Sequence, residues 1–290
     1  MIDLNFPSAK IIAHSEAPNG EQLITMEIEL HRFILPEFNT HRTFSRNFQS
    51  SRAVPIEKMI EQVRNNPAYP VHWGKNQAGM VAENELDILT KNGAIEHWRI
   101  AAEQAAFIAE SMKSLGAHKQ VVNRLLEPFM KTKGVVTATR NAYEAFFKLR
   151  SHSDAQPEIK LLSDRMREAL NSSVPKKLKY GEYHLPYVDN LDNLTIGDAV
   201  KISSSCTAQV SYRRLDDSLE KALKVYDMLN LPCNGVYPED PPHFSPTEHI
   251  ARISYILEYK KHRKSGNFNS HVFWQYRKAL EIGDEQEFLK

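Results

Sequence analysis

Leu23-Ile24-Thr25-Met26-Glu27-Ile28-Glu29-Leu30-His31-Arg32-Phe33 decides the fold. Ile24, Met26, Ile28 and Leu30 fall on one face of an extended chain, and Thr25, Glu27, Glu29 and His31 on the other. Alternation with period two marks a half-buried strand. Pro36 breaks it, and His41-Arg42-Thr43-Phe44-Ser45-Arg46-Asn47-Phe48-Gln49-Ser50-Ser51-Arg52 follows. That run puts three arginines, a histidine, two amides and four hydroxyls into twelve residues. Ser45, Asn47, Ser50 and Arg52 cannot share one helix face, so the run reads as a wrapping loop leading to Pro55. Alone it is equally compatible with a solvated turn. Its place directly after a core strand favours a site, since loops held by a rigid scaffold commonly carry function. The residue types suit an anionic, hydrogen-bond-rich ligand such as a nucleotide. Arginine offers phosphate a planar fork, and its bonds to charged acceptors are worth roughly 1.5–3 kcal/mol each.

Outward from this core, Pro55 opens a helix over 56–63. Residues 66–82 form an irregular excursion rich in Pro, Gly, Asn and His. Helical periodicity from Glu83 to Leu115 is divided by Asn92-Gly93 into two helices, with Gly116 ending the second. A helix from His118 to about Met130 carries Arg124, and an apolar segment from Val135 to Leu149 ends at Arg150. Asp154 to Leu170 is a further helix capped by Ser153 or Asp154. Loop-like 175–193 precedes segments at 199–212 and 218–229, a proline-rich loop over 232–246, a helix at 248–259 and a closing segment at 273–282. The fold class is α+β, mixed and helix-rich.

Composition sets bounds. The 290 residues are 41% hydrophobic and 25% charged with a net charge of +1, an ordinary globular balance without the basic excess of a nucleic-acid binder. No stretch approaches the roughly 18 apolar residues of a membrane span, and Met1-Ile2-Asp3-Leu4-Asn5 does not read as a signal peptide. Cys206 and Cys233 have no metal spacing, so a reducing cytoplasmic location without a metal is expected. No G-x-G occurs, which excludes a Rossmann fingerprint and a P-loop.

The run from His41 to Arg52 resembles the motif R-H-R-x-x-S-x-N-x-x-S-x-R of the flavin-dependent thymidylate synthases, the ThyX family, at every fixed position except the first, here Thr40. Leu149-Arg150-Ser151-His152-Ser153-Asp154-Ala155-Gln156-Pro157-Glu158-Ile159 is similar to the family's L-R-x-D-x-H-A-Q-x-E-I, with His152 and Asp154 exchanged in type. Arg124-Leu125-Leu126-Glu127-Pro128 resembles R-x-x-L-P, with Glu127 in place of leucine. Thr207-Ala208-Gln209-Val210-Ser211-Tyr212 and His243-Phe244-Ser245-Pro246-Thr247-Glu248-His249 resemble A-A-R-V-S-[FY] and H-x-[ST]-P-F-E-H. Gln209 replaces an arginine there and Thr247 a phenylalanine. In the family these two segments precede the arginine motif; here they follow it. The cyclic order implies a circular permutation of a single domain, with 1–174 the usual central and C-terminal part and 198–290 the usual N-terminal part. Chain termini lying close together at a surface tolerate such a change.

The resemblance implies a ThyX-like fold around an antiparallel sheet and methylation of dUMP. FAD is then the cofactor, with NADPH and methylene-tetrahydrofolate as co-substrates, in a homotetramer with shared active sites. It implies a catalytic Arg150 against the pyrimidine. Ser50, Arg52, Arg124 and Arg150 would bind dUMP, and His41, Arg42, Asn47, His243 and Ser245 would line the flavin and folate side. Ser45 and Glu248 would hold the loop and motif in shape. Departures at Thr40, Thr139, Ala145 and Glu37, where some members carry glutamine, leave open hydroxymethylation of dUMP or methylation of another uridine nucleotide. A non-catalytic nucleotide- or RNA-binding module is the contrasting reading.

Overall fold

The alternating segment at 23–31 forms the second strand of a five-stranded sheet. The computed structural model describes residues 5–211, 216–229, 231–232, 236, 243–255 and 264–290; Tyr212 and Cys233 lie outside them. Strands β1 (Ser8–Glu16) and β2 (Gln22–His31) form an antiparallel pair. After a short helix α1 (Leu35–Phe38) the chain enters β3 (Ser45–Phe48) and helix α2 (Ile56–Asn65). The arginine run is therefore partly an edge strand and not wholly a loop: its alternating apolar and polar residues pair with a neighbour. That neighbour is β4 (Lys131–Thr139), which also pairs antiparallel with β2.

Helix α3 (Ile88–Ser114) runs unbroken through Asn92-Gly93, contrary to the expected division. A glycine inside a helix costs only about 1 kcal/mol relative to alanine. Against that, Asp87 caps the first turn through Leu89 and Thr90 N–H, and Ala102, Ala106 and Ala109 bury a close-packed stripe against Met59, Ile60, Val63 and Leu126. The expected helix at 118–130 is instead a short α4 (Lys119–Val122) continued by a 3-10 helix over Asn123–Phe129. Pro128 lacks the N–H that an α-helix needs there.

Strand β4 turns directly into α5 (Arg140–Arg150), so the apolar segment before Arg150 is half strand and half helix. Helix α6 (Pro157–Asn171) starts later than expected, with Pro157 in its first turn and no side-chain cap. Helices α5 and α6 cover one face of the large sheet, where Ile24, Met26, Ile28 and Leu30 pack with Val136, Phe146, Phe147, Ile159 and Leu162. Thr25 and His31 are also fully buried, so β2 is covered on both faces at these points.

The chain then adds β5 (Lys176–Lys177) parallel to β1, β6 (Tyr183–His184), α7 (Ile196–Ala208) and α8 (Leu219–Met228). A second, three-stranded sheet joins β6 to β7 (Ala251–Ile253) and β8 (Phe273–Gln275). The expected helix at 248–259 is thus a 3-10 helix, Ser245–His249, followed by β7, because Ala251 and Ile253 bury alternately like a strand. Residues 256–263 lie outside the described part. The permutation reading places the segment after His249 beside the strand that begins near Gln22. Ala251 and Ile253 share a buried cluster with Leu23, but β7 hydrogen-bonds to β6 and β8 and not to β2. Among the described residues no helix is long and apolar enough to cross a membrane.

Candidate active site

The end of α5 and the turn after α1 bring Arg150 and His41 together. Arg150 donates its Nε–H to His41 Nε2 at 2.9 Å, and its Nη1 ion-pairs with the Glu37 carboxylate. Nη2 reaches Thr40 Oγ1 at 3.5 Å. His41 Nε2 must be a bare acceptor here, so the ring is neutral and carries its proton on Nδ1. Burial, then the positive charges of Arg150 and Arg46, lower its pKa to about 4.

One strand further along, Asn47 donates Nδ2–H to the Thr207 carbonyl at 2.7 Å, while Ser245 Oγ donates to Asn47 Oδ1 at 3.4 Å. Both resembling segments of the C-terminal half, at 207–211 and 243–249, therefore meet the arginine run at a single side chain. Ser45 is fully buried and donates to Asn267 Oδ1 at 3.1 Å. Gln275, also buried, shares its two Nε2 protons among Asn267 Oδ1 at 2.8 Å, the Glu248 carbonyl at 3.0 Å and Ser45 Oγ at 3.2 Å. Glu248 itself ion-pairs with Arg277, and burial raises its carboxyl pKa against that pull. Ser45 and Glu248 are thus held inside the structure.

The far end of the run forms a second pole. Ser51 Oγ donates to Glu127 at 3.2 Å, and the same carboxylate lies 3.5 Å from both Arg124 and Arg32. Asn123 Nδ2 donates to the Ser51 and Val54 carbonyls at 2.7 and 3.1 Å, pinning the loop. Glu127 replaces an apolar residue of the resembling motif and becomes the counter-ion of this pole. Arg52 is exposed, its backbone N–H held by Ser50 Oγ at 3.3 Å, and the Arg124 side chain is 60% exposed. Both cations are accessible to an anionic ligand. His243 is exposed too, with its backbone N–H on the Leu229 carbonyl; among the described residues its ring takes no part in the hydrogen bonds of Asn47 to Thr207 and Ser245.

Several site residues were missed in the sequence. In the sequence Glu37 reads only as a departure from the family, not as the partner of Arg150. Gln275 and Arg277 lie in the closing segment at 273–282 and Asn267 in the punctuating stretch 265–269 before it, and neither stretch resembles a family motif. The one available signal was an amide, Gln275, inside the buried aromatic run Phe273-Trp274-Gln275-Tyr276. Gln209, at a family arginine position, is buried and joins both of its amide atoms to the Asp216 backbone, at 2.8 and 3.0 Å. It ties the end of α7 to the next loop.

A dinucleotide's diphosphate would find its donors around Arg42 and Arg46. Arg42 is exposed, and Arg46 donates to the Asn39 carbonyl. Burial first, with Arg42's charge adding repulsion and Glu248 opposing, lowers the Arg46 pKa. Two mutually repelling cations fit a bound anion between or beside them. Ala145 is exposed and offers no hydrogen bond. Among the described residues no cluster of His, Cys, Asp or Glu could hold a metal ion.

In comparisons with known proteins, a family model described as "Thymidylate synthase complementing protein" matches residues 14–176. No curated protein sequence gives a significant match. Among solved structures, a UMP/dUMP methylase, PolB, from Streptomyces cacaoi bound with 5-Br dUMP is similar at 18% identity and TM-score 0.44, over 51% of this chain and 66% of that one. The same enzyme bound with 5-Br UMP gives 14% identity and TM-score 0.47 over 59% and 89%. Thymidylate Synthase X from Helicobacter pylori with FAD and dUMP gives 19% identity and TM-score 0.37 over 51% and 67%. The chain thus spans just under two-thirds of the first of these proteins. The matched family span covers more than half of the 290 residues and contains the whole arginine run, Arg124 and Arg150, so the chain belongs to the thymidylate synthase complementing protein family, ThyX.

Proposed function

We propose that the chain is a flavin-dependent thymidylate synthase that methylates dUMP at C5. The observation that carries this reading is the Arg150–His41 contact, which joins two separate family motifs at one point. In the overall reaction the methylene carbon of methylene-tetrahydrofolate becomes bonded to C5, the C5 proton leaves and tetrahydrofolate is released. NADPH supplies the two electrons that take the carbon from methylene to methyl. FAD, when bound, would supply the carrier for that hydride, and His41, Arg42 and Asn47 would hold the flavin.

The protein's share is binding and electrostatics. Arg150 is the catalytic residue of this proposal: its guanidinium stabilises negative charge developing on the pyrimidine. His41 and Glu37 fix the plane of that guanidinium. Ser50, Arg52 and Arg124 grip the nucleotide, the two arginines chiefly at phosphate. Arg42 and Asn47, with His41, His243 and Ser245, line the flavin and folate side. Residues 198–290 supply the permuted N-terminal part of one catalytic domain, supported by the meeting of Ser245, Thr207 and Asn47. The working assembly is a cytoplasmic homotetramer with shared sites, without nucleic-acid or membrane partners.

A second reading, hydroxymethylation of dUMP or methylation of another uridine nucleotide, is favoured by the half-buried Thr139 and the exposed Ala145 at positions where some members place flavin contacts. Mass spectrometry of the nucleotide formed from dUMP with FAD, NADPH and methylene-tetrahydrofolate separates them. A product heavier by one methylene unit supports thymidylate synthesis; a hydroxymethyl product, or turnover of UMP alone, supports the second. Binding of nucleotide without any product would leave a non-catalytic binding module.

A further inference from the structure

A line of five buried side chains crosses from the large sheet to the segment that carries Ser245. Ser15 Oγ lies 2.8 Å from His184 Nδ1, and His184 Nε2 lies 2.8 Å from Thr25 Oγ1. Thr25 and Thr137, opposite each other on β2 and β4, place their hydroxyls 2.6 Å apart. Thr137 Oγ1 then lies 2.8 Å from His249 Nδ1. Four of the five residues are wholly buried and Ser15 is 5% exposed. His249 Nε2 is buried without a hydrogen-bond partner among the described residues.

Proton counting constrains this line. A hydroxyl has one proton, and a neutral imidazole has one N–H and one bare nitrogen. If Ser15 donates to His184 Nδ1, the ring carries its proton on Nε2 and donates to Thr25. Thr25 then donates to Thr137, Thr137 donates to His249 Nδ1, and His249 holds its proton on Nε2. In the reverse sense His249 Nδ1–H donates to Thr137, Thr137 to Thr25, Thr25 to His184 Nε2, and His184 Nδ1–H to Ser15. Any mixed arrangement leaves either a threonine proton unmatched or two oxygens facing each other at 2.6 Å with no proton between them. Both faults are costly where water cannot reach.

We propose that Ser15, His184, Thr25, Thr137 and His249 form one polarised relay, with Thr137 and His249 as positioning residues that seat the 245–249 segment against β3. The segment is then held at two ends, by His249 on Thr137 and by Ser245 on Asn47. The direction of the relay also decides whether His249 Nε2 is a donor or an acceptor. The positioning role rests on the site reading above; the relay itself does not.

Neutron diffraction from the full perdeuterated chain reads the ring protons directly. The expected result is the same tautomer on His184 and His249, both protonated on Nε2 or both on Nδ1. Opposite tautomers, or a doubly protonated ring, would overturn the relay. For the positioning role, FAD and dUMP dissociation constants are measured by flavin fluorescence and calorimetry on three proteins. Thr137→Val, which keeps the shape and removes the hydroxyl, should weaken binding by about tenfold, and Thr137→Ser should restore it. Unchanged binding by Thr137→Val, or loss that Thr137→Ser does not restore, would overturn positioning. If the unaltered protein binds neither FAD nor dUMP, the proposed function fails while the tautomer result still decides the relay.

Discussion

Arg150 donates to a neutral His41 at 2.9 Å while its other end is ion-paired to Glu37, so its guanidinium plane is set before any ligand arrives. Lysine keeps the charge but has a single flexible ammonium and cannot hold both partners in one plane. Arg150→Lys and Arg150→Ala should therefore lower turnover by about 10²–10³, the cost of losing one oriented charge-stabilising donor. The melting temperature should change little, because the Arg150 contacts lie at the edge of the core and not within it. Steady-state kinetics and thermal melts on the same preparations check both halves. An active Arg150→Ala would remove the residue from its proposed role.

On the proposed function, Glu37 would compete with an incoming nucleotide for Arg150, with which it is ion-paired. Glu37→Gln keeps an acceptor for the guanidinium and removes the charge. The pair is partly exposed, with side-chain exposures of 16% and 31%, and partly exposed pairs contribute at most about 1 kcal/mol. Nucleotide affinity should accordingly rise by roughly two- to fivefold in Glu37→Gln, with stability nearly unchanged. Titration calorimetry with dUMP measures the first and chemical denaturation the second. Weaker binding would mean that the carboxylate contacts the ligand itself.

The large sheet's apolar face was legible because β2 has a clean period of two, and Ile24, Met26, Ile28 and Leu30 do line one cluster. The arginine run, Arg124 and Arg150 were legible as motifs. What stayed hidden depends on distant pairings. Thr25 and His31 read as solvent-facing, yet the C-terminal half and residues near Tyr69 cover them, as the His31–Tyr69 carbonyl bond at 2.8 Å shows. The 41–52 run read as a loop because a short edge strand is visible only once its partner β4 is known. Gly93 and Pro128 show local signals meeting different fates. A glycine's small cost yields to packing, whereas a proline's missing N–H cannot be replaced.

Gly134 has a sequence-invisible role that predicts a sharp phenotype. It stands opposite Phe48 in the β3–β4 register, and a Cβ there would lie 2.2 Å from Phe48 Cδ1. The nearest atoms all belong to the Phe48 side chain, and even its Cγ would be 2.9 Å away, so Gly134→Ala must displace the Phe48 ring. Overpacking of this kind costs typically 1–3 kcal/mol. Shortening the ring in Phe48→Leu should relieve the clash, so the double variant should be more stable than the additive expectation. A denaturation cycle over the four proteins tests this. Additive losses would show that the ring and the glycine are not coupled.

Acid should unfold the protein through its buried histidines. Burial lowers His31 to about 4, against its bond to the Tyr69 carbonyl and with Lys131 adding to the shift. Burial likewise lowers His184 to about 3, with smaller contributions from His14 and His249, and His249 to about 3. In the unfolded chain each ring regains its ordinary value of about 6.5. Between those values the unfolded state binds more protons than the native one, so stability rises with pH across the window. It is fully present above about 6.5 and is lost progressively as pH falls toward the folded values. Glu248, whose carboxyl pKa burial raises, acts in the opposite sense upward from its unfolded value near 4.3, but it is one group against three rings. Melting temperature should therefore drop steadily from pH 7 to pH 5, before ordinary carboxylates titrate. A flat profile over that range would mean that the three rings are not buried neutral, and would also remove the basis for a proton-matched line through His184 and His249.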